Sequence, residues 1–465
     1  MGKRAELATV RVPEFELPRE QPVPPPAEFE RRIAAVRERA ARRGLDFLLV
    51  YGDREHFANL AFLTEHDPRF EEALLVIPVD GEPTLLLGNE GMGYAELVPV
   101  DIERRIYQGF SLPGQKRGDQ PRLGPVLAEC GIGKGRRIGV AGWKYATALE
   151  TDDVEHWLEI PSFLAETLRE MAGDPDRVVN VNDIFMDPAE GLRTQNSAAQ
   201  LAAFEFGASH CAAVVHRALA AARPGMTELE VVAEAGLNGM PLSAHMMFST
   251  GERAHLGLPS PSGRVMERGD PIFCALGYRG GLTARAGWLV EDESELPATA
   301  ADYLDRLVTP YFMTVAAWYG AVGIGVAGGD LQKLVDGMLG AADLEAALNP
   351  GHLIHLEEWM HSPVNPGSEI ELRSGMLIQC DIIPLVAAEY HTVNAEDTIA
   401  LADEALRGKL QVEYPAMWAR IEARRDFMRD GLGIELQPEV LPFSGPPAVV
   451  RPFTLSPQKV MRIER

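Results

Sequence analysis

The sequence predicts two successive domains: an α/β domain over residues 27–190, then a domain over 191–402 made mainly of strands with helices between them. Three observations carry this. In the first part, apolar runs of strand length alternate with amphipathic helical patterns. Residues 182–200, NDIFMDPAEGLRTQNSAAQ, are polar and lack periodicity, as a domain boundary should. Beyond them, strand-like runs outnumber helical ones. The length of 465 residues agrees, because it exceeds what one compact core usually holds. Residues 1–26 read as an extended, proline-rich lead-in and 403–465 as a helical and proline-rich extension.

Element by element, residues 27–44 place Phe29, Ile33, Val36 and Ala40 at helical spacing, with Gly44 positioned to end the helix. DFLLVYG then reads as a buried strand. ALLVIPVDGEPTLLLG reads as a hairpin, its Asp80-Gly81 pair suited to positive φ. RIGVAG (137–142) and VVNV (178–181) are further strands, separated by a helical pattern at 160–172. In the second domain a long helix spans about 199–222, Pro224-Gly225 breaks the chain, and Thr227-Glu-Leu-Glu230 has the form of a capping box. Strands are expected near 245–250, 271–277, 283–290, 351–356, 375–384 and 391–401, and helices over 299–317 and 329–341. Residues 403–430 form an amphipathic helix that Pro415 should kink, and 437–465 is expected to be irregular.

Bulk properties narrow the function. With 44 Lys+Arg against 68 Asp+Glu the net charge is −24, which repels phosphate backbones and anionic lipid, so nucleic acid and membrane surfaces are poor partners. The four cysteines, Cys130, Cys211, Cys274 and Cys380, show no CxxC spacing, so neither a zinc cluster nor a disulfide framework is expected, and a reducing cytoplasm suits them. The N-terminal stretch has no apolar h-region of a secretory signal. Thr309 to Gly329 is uncharged, yet its five glycines favour a buried helix running into a loop over a membrane span.

Four local patterns resemble the creatinase/aminopeptidase P/prolidase superfamily, whose catalytic domain is the α+β pita-bread fold. RTQNSAAQLAAFEFGASHCAAVVHRALAAARPGMTELEV (193–231) is similar to the family's opening helix and PG-x-T-E turn. GRVMERGDPIFCALGYRGG is similar to the strand leading to the first metal aspartate, and GHLIHLEEW (351–359) to GHGIGLEVH. SGMLIQCDIIP (374–384) and VNAEDTIAL (393–401) stand where the two glutamate motifs belong. The resemblance covers roughly residues 27–402.

Metal-dependent members of that family hold two cations with two aspartates, one histidine and two glutamates. Here His352 matches the histidine, Glu396 the last glutamate, and Asp381 a shortened version of the other. The aspartates align with Ala275 and Ala286, and residues 271–290 contain no carboxylate. Two hard cations need several anionic oxygens to offset their dehydration, so a dinuclear centre is not expected; neither cofactor nor metal is assigned. The resemblance to creatinase then implies a metal-independent hydrolase, with a histidine as general acid/base and carboxylates binding a small, polar, nitrogen-containing substrate whose C–N bond is cleaved.

On that reading His255, His352 and Glu396 are the catalytic candidates, with His255 as proton carrier. Glu357, Asp381, Arg285, His355, Arg69 and Phe70 are the substrate-binding candidates. On a strand only one of Glu357 and Glu358 can face the site, and Glu357 matches the acidic residue of the family motif. Arg285 either pairs with Asp381 or Glu396 or binds a substrate carboxylate. The resemblance implies a homodimer in which Arg69 and Phe70 reach the partner's substrate; the plain alternative is a local salt bridge of Arg69 with Glu71 or Glu72. His255 has an equally plain reading as an ordinary loop histidine. Two further readings stay open: an Xaa-Pro aminopeptidase-like metallopeptidase with an altered one-metal site, and a catalytically inactive pita-bread protein that only binds.

Overall fold

The computed structural model describes residues 4–118, 121–386, 388–391 and 393–464. The chain forms two compact units, one from residues 24–194 and one from 195–465 together with the chain before residue 24.

The smaller unit is built on a six-stranded mixed sheet. Its first helix, Pro26–Arg42, begins with proline at a position whose missing N–H costs nothing, and it buries Phe29, Ile33, Val36 and Ala40, the face read from the sequence. Strand Phe47–Gly52 is buried throughout. It pairs antiparallel with Ala73–Pro78 and parallel with Ile138–Ala141, which pairs in turn with Val178–Asn180. Thr84–Leu87 closes the expected hairpin and carries a parallel edge strand, Glu103–Ile106, that the sequence reading did not find. That edge strand reads ERRI, charged and poorly alternating, which hides it from a periodicity search.

In the larger unit a seven-stranded antiparallel sheet carries the candidate site. Leu242–Thr250, Pro271–Tyr278, Gly281–Trp288, Asn394–Leu401, Leu377–Cys380 and His352–Leu353 follow one another across it, and Val440–Pro442 pairs with Asn394–Leu401. Helix Ala198–Ala221 lies on this sheet. Its Gly207 and Ala208 meet the hairpin turn so closely that a Cβ on Gly280 would stand 2.3 Å from Phe204, and one on Gly281 2.5 Å from the Ala208 backbone. With φ of +83° at Gly280, both space and conformation demand glycine there. The capping box of Thr227 and Glu230 is present and opens helix Glu228–Glu234.

Several expected strands are shorter than their apolar runs. The run at 351–356 contributes only His352–Leu353 to the sheet, and 375–384 only Leu377–Cys380 plus the short Pro384–Leu385. The uncharged stretch from Thr309 is a 13-residue buried helix, Thr309–Ala321, followed by a turn, and no helix among the described residues is long and apolar enough to cross a membrane.

The chain ends differ from the irregular course expected of them. Ala5–Thr9 pairs antiparallel with Lys459–Ile463, and Val440–Pro442 joins the main sheet. The extension's helix is divided as Pro415 requires, into Glu404–Glu413 and Pro415–Asp426. It is fastened by charge: Glu205, fully buried on the long helix, pairs with Arg420 at 2.6 Å and Arg424 at 2.8 Å. All four cysteines are free thiols.

Candidate active site

Registry across the sheet decides which side chains meet. Directly paired residues share a face and alternate residues return to it. Glu396 pairs with Ala284, which pairs with Ala275; Asn394 pairs with Ala286; Thr398 pairs with Gln379, which pairs with His352. One face therefore carries His352, Gln379, Thr398, Glu396 and Asn394, with Ala275, Ala284 and Ala286 beside them. Asp381 follows the end of the Gln379 strand on the same alternation.

His352, Asp381 and Glu396 each place one nitrogen or oxygen within 4.8 Å of the others, and all three are buried. Gly351, at φ +146° with its Cα hydrogen side facing the Gln379 carbonyl and the Trp318 ring, sets the backbone that delivers His352. The imidazole is fully buried and stacks on Trp359, ring centroids 4.0 Å apart. Its Nδ1 lies 3.3 Å from the Leu353 carbonyl. Its Nε2 stands 3.3 Å from Glu358 Oε1 and 3.8 Å from Glu396 Oε1, within ion-pair range of both. Gln379 Nε2 fixes Glu396 by donating to its Oε1 at 2.9 Å, and Thr398 holds Gln379 by donating to its side-chain oxygen.

The electrostatics follow from this crowding. Burial opposes a charge on His352, but Glu358 and Glu396 at its Nε2, with Asp381 close by, outweigh that and push its pKa up to about 10. At neutral pH the ring is an imidazolium. Burial, then the neighbouring Glu396, pushes Asp381 well above the usual carboxylate range; burial also raises Glu396, against the pull of His352. Asp381 Oδ1 and Asn394 Oδ1 are buried with no hydrogen-bond partner among the described residues, so the site holds unused acceptor capacity.

The donor set does not fit a pair of cations. The hairpin offers no carboxylate to this face: where it runs beside the three clustered groups it presents Ala275, Ala284 and Ala286, all nearly inaccessible. A single cation could draw on His352, Asp381 and Glu396 and on nothing from the hairpin.

The other expected residues lie elsewhere. Arg285 does not pair with Asp381 or the Glu396 carboxylate: it projects to the opposite face, where its Nη2 donates to both oxygens of Asp397 at 2.8 and 2.9 Å. The one-residue alternation that puts Glu396 on one side puts Asp397 and Arg285 on the other. His355 packs edge-on against Phe204 of the long helix, ring centroids 4.8 Å apart. Glu358 stands at His352 Nε2, one residue beyond the Glu357 that the motif match favoured; the strand itself ends at Leu353, so the turn that follows sets this approach. His255 is exposed on a 3-10 turn with its Nδ1 at the Glu252 carbonyl, and its aromatic neighbour is His391 at 6.1 Å. In the smaller unit Arg69 pairs with Asp67 at 2.6 Å, not with Glu71 or Glu72, and Phe70 is 69% exposed. Both line a cavity of about 380 Å³ with His66 and Tyr94.

Sequence reasoning left Gln379 unmentioned, although its alternation with Asp381 on one strand was a usable signal. Trp359 stands where the family motif has its second histidine, and its stacking on His352 was not foreseeable without coordinates.

Neither known protein families nor curated proteins match the sequence. Solved structures do. The chain superposes on the prolidase from Pyrococcus horikoshii OT3 with a TM-score of 0.61 at 16% identity, covering 80% of this chain and 95% of that one. For the dipeptidase PepE from Mycobacterium ulcerans the values are 0.59 and 20%, over 81% and 94%. For the X-Pro aminopeptidase from Thermotoga maritima MSB8 they are 0.58 and 15%, over 81% and 95%. The chain thus shares the two-part fold of these prolidase, dipeptidase and aminopeptidase structures, an α/β domain followed by a pita-bread domain.

Proposed function

We propose that this protein hydrolyses a C–N bond in a small, polar, nitrogen-containing compound by proton transfer from side chains, without a cation pair. The observation that carries the reading is the face of the sheet itself: a buried histidine among carboxylates, beside three alanines of the hairpin and no hairpin carboxylate. His352 acts as the acid, giving its Nε2 proton to the departing nitrogen as the C–N bond breaks. Water adds to the carbon and loses its proton to Glu358 or Glu396, and that proton returns to His352. An imidazolium with its pKa raised to about 10 is matched to an amine leaving group and stays charged at neutral pH. Trp359 stacks on one face of the ring and leaves its Nε2 edge to the carboxylates and the substrate. Homodimerisation, with Arg69 and Phe70 offered to the partner's substrate, belongs to the same proposal, as does a cytoplasmic location.

A second reading is favoured by the printed functions of the structural neighbours, which include a prolidase and an X-Pro aminopeptidase. There, one cation held by His352, Asp381 and Glu396 would polarise a peptide carbonyl. One experiment separates the two. Purified protein and His352→Gln are screened against small amidines, ureas and Xaa-Pro dipeptides, before and after chelation and with Mn²⁺ or Zn²⁺ restored. Turnover that survives chelation and disappears in His352→Gln supports the proton-transfer reading. Xaa-Pro cleavage that needs added metal supports the second. Ligand binding without turnover under any condition defeats both in favour of a binding role.

A further inference from the structure

Two arginines line one small cavity behind the hairpin, and only one of them, Arg285, is paired with a carboxylate, Asp397. Arg285 spends Nη1 on the carbonyls of Ala284 and Glu396, each at 2.8 Å, and Nη2 on Asp397 and the Pro446 carbonyl. Its Nε is buried and has no partner among the described residues. Arg451 is carried by the segment that crosses the end of the same strand, where Pro452 and Thr454 exchange backbone hydrogen bonds with Trp288 at 2.9 and 2.8 Å. Its side chain makes no hydrogen bond or ion pair with any described residue, and its Nε too is buried.

Both guanidiniums line one cavity of about 10 Å³, together with Leu219, Val449 and Thr454. That is room for a single water-sized occupant. The charge does not balance. Asp397 offsets Arg285, and among the described residues no carboxylate offsets Arg451, on which burial and the Arg285 charge act. His216, its ring buried, is pushed well below its usual range by burial and by the same two arginines, so it adds no charge of its own. A buried Nε–H left without a partner beside a second cation is costly, and water would satisfy the N–H while leaving the charge.

We infer that this cavity is a binding site for one small monovalent anion, of chloride size, held between the Nε–H of Arg285 and the guanidinium of Arg451. Phosphate and carboxylates exceed the space. The anion fastens the segment carrying Arg451 to the strand that carries Ala284 and Ala286. None of the chemistry proposed for His352 enters this argument.

Two measurements on the full chain test it. Thermal unfolding is followed as chloride replaces gluconate at constant ionic strength, for the native protein and for Arg451→Met. The native midpoint is expected to rise by about 2 °C or more between about 3 and about 300 mM chloride, and the variant to show no such rise. A flat native response, or an equal response in both proteins, overturns the site. Should the variant fail to fold, crystals of the native protein soaked in bromide decide: an anomalous peak between Arg285 and Arg451 upholds the inference, and a site holding water only ends it.

Discussion

Nε2 of His352 stands 3.3 Å from Oε1 of Glu358, and this contact, more than any other, keeps the buried ring charged. Removing the carboxylate should lower the histidine's pKa by about one unit or more. Glu358→Gln is therefore expected to move the His352 titration seen by ¹⁵N NMR, and Glu357→Gln to leave it in place. The opposite pattern would return Glu357 to the site.

The same charge makes stability depend on pH in a defined direction. A histidine at about 10 in the folded chain and about 6.5 unfolded stabilises fully below pH 6.5 and loses that contribution as pH rises towards 10. Urea unfolding between pH 6.5 and 9.5 should show native protein and His352→Gln converging as the pH rises. Parallel curves would mean that the ring is neutral.

Alanines at 275 and 286 are expected to be what keeps a cation pair out. Ala275→Asp combined with Ala286→Asp places two carboxylates on the face of Glu396. Metal-free, this variant should be less stable by several kcal/mol, on the order of the cost of buried unpaired charge. Mn²⁺ or Zn²⁺ should restore it with a rise in melting temperature absent from the native protein. No metal-dependent rise would show that the alanines are not the deciding difference.

Arg285 is a structural group by its contacts, not a substrate contact. Arg285→Met leaves Asp397 buried with its Ala448 N–H and without its countercharge, an expected loss of about 3–5 kcal/mol. If unfolding is unchanged while KM rises, the residue binds substrate after all.

Glu205 fastens the C-terminal helix, and although burial opposes its charge, Arg424 and Arg420 hold its pKa below the usual carboxylate range. Its stabilisation is full above the unfolded value near 4.3 and is lost as pH falls through the folded one. Glu205→Gln should unfold more easily at pH 7 and respond less to acid than native protein does, as denaturant midpoints from pH 7 to 3 will reveal.

The sequence by itself determined the order of the main elements, the two-part architecture and the identity of the cluster. Helical and strand periodicities, the Thr227 capping box and the Gly280-Gly281 turn are local features, legible because short-range sterics and burial patterns fix them. His352, Asp381 and Glu396 could be named because their motifs recur at the expected distances along the chain, and the alanines could be seen to replace aspartates. The tertiary structure decided which neighbours those residues have. Whether Arg285 meets Glu396 or Asp397 is a matter of sheet face, reversed by a single step of register. Glu358 came to His352 through the turn after Leu353, where a motif match along the sequence had favoured Glu357. The pairing of Arg451 with Arg285 joins positions far apart in the chain, and no pattern in a linear sequence encodes a contact made only when a late segment crosses the end of an early strand.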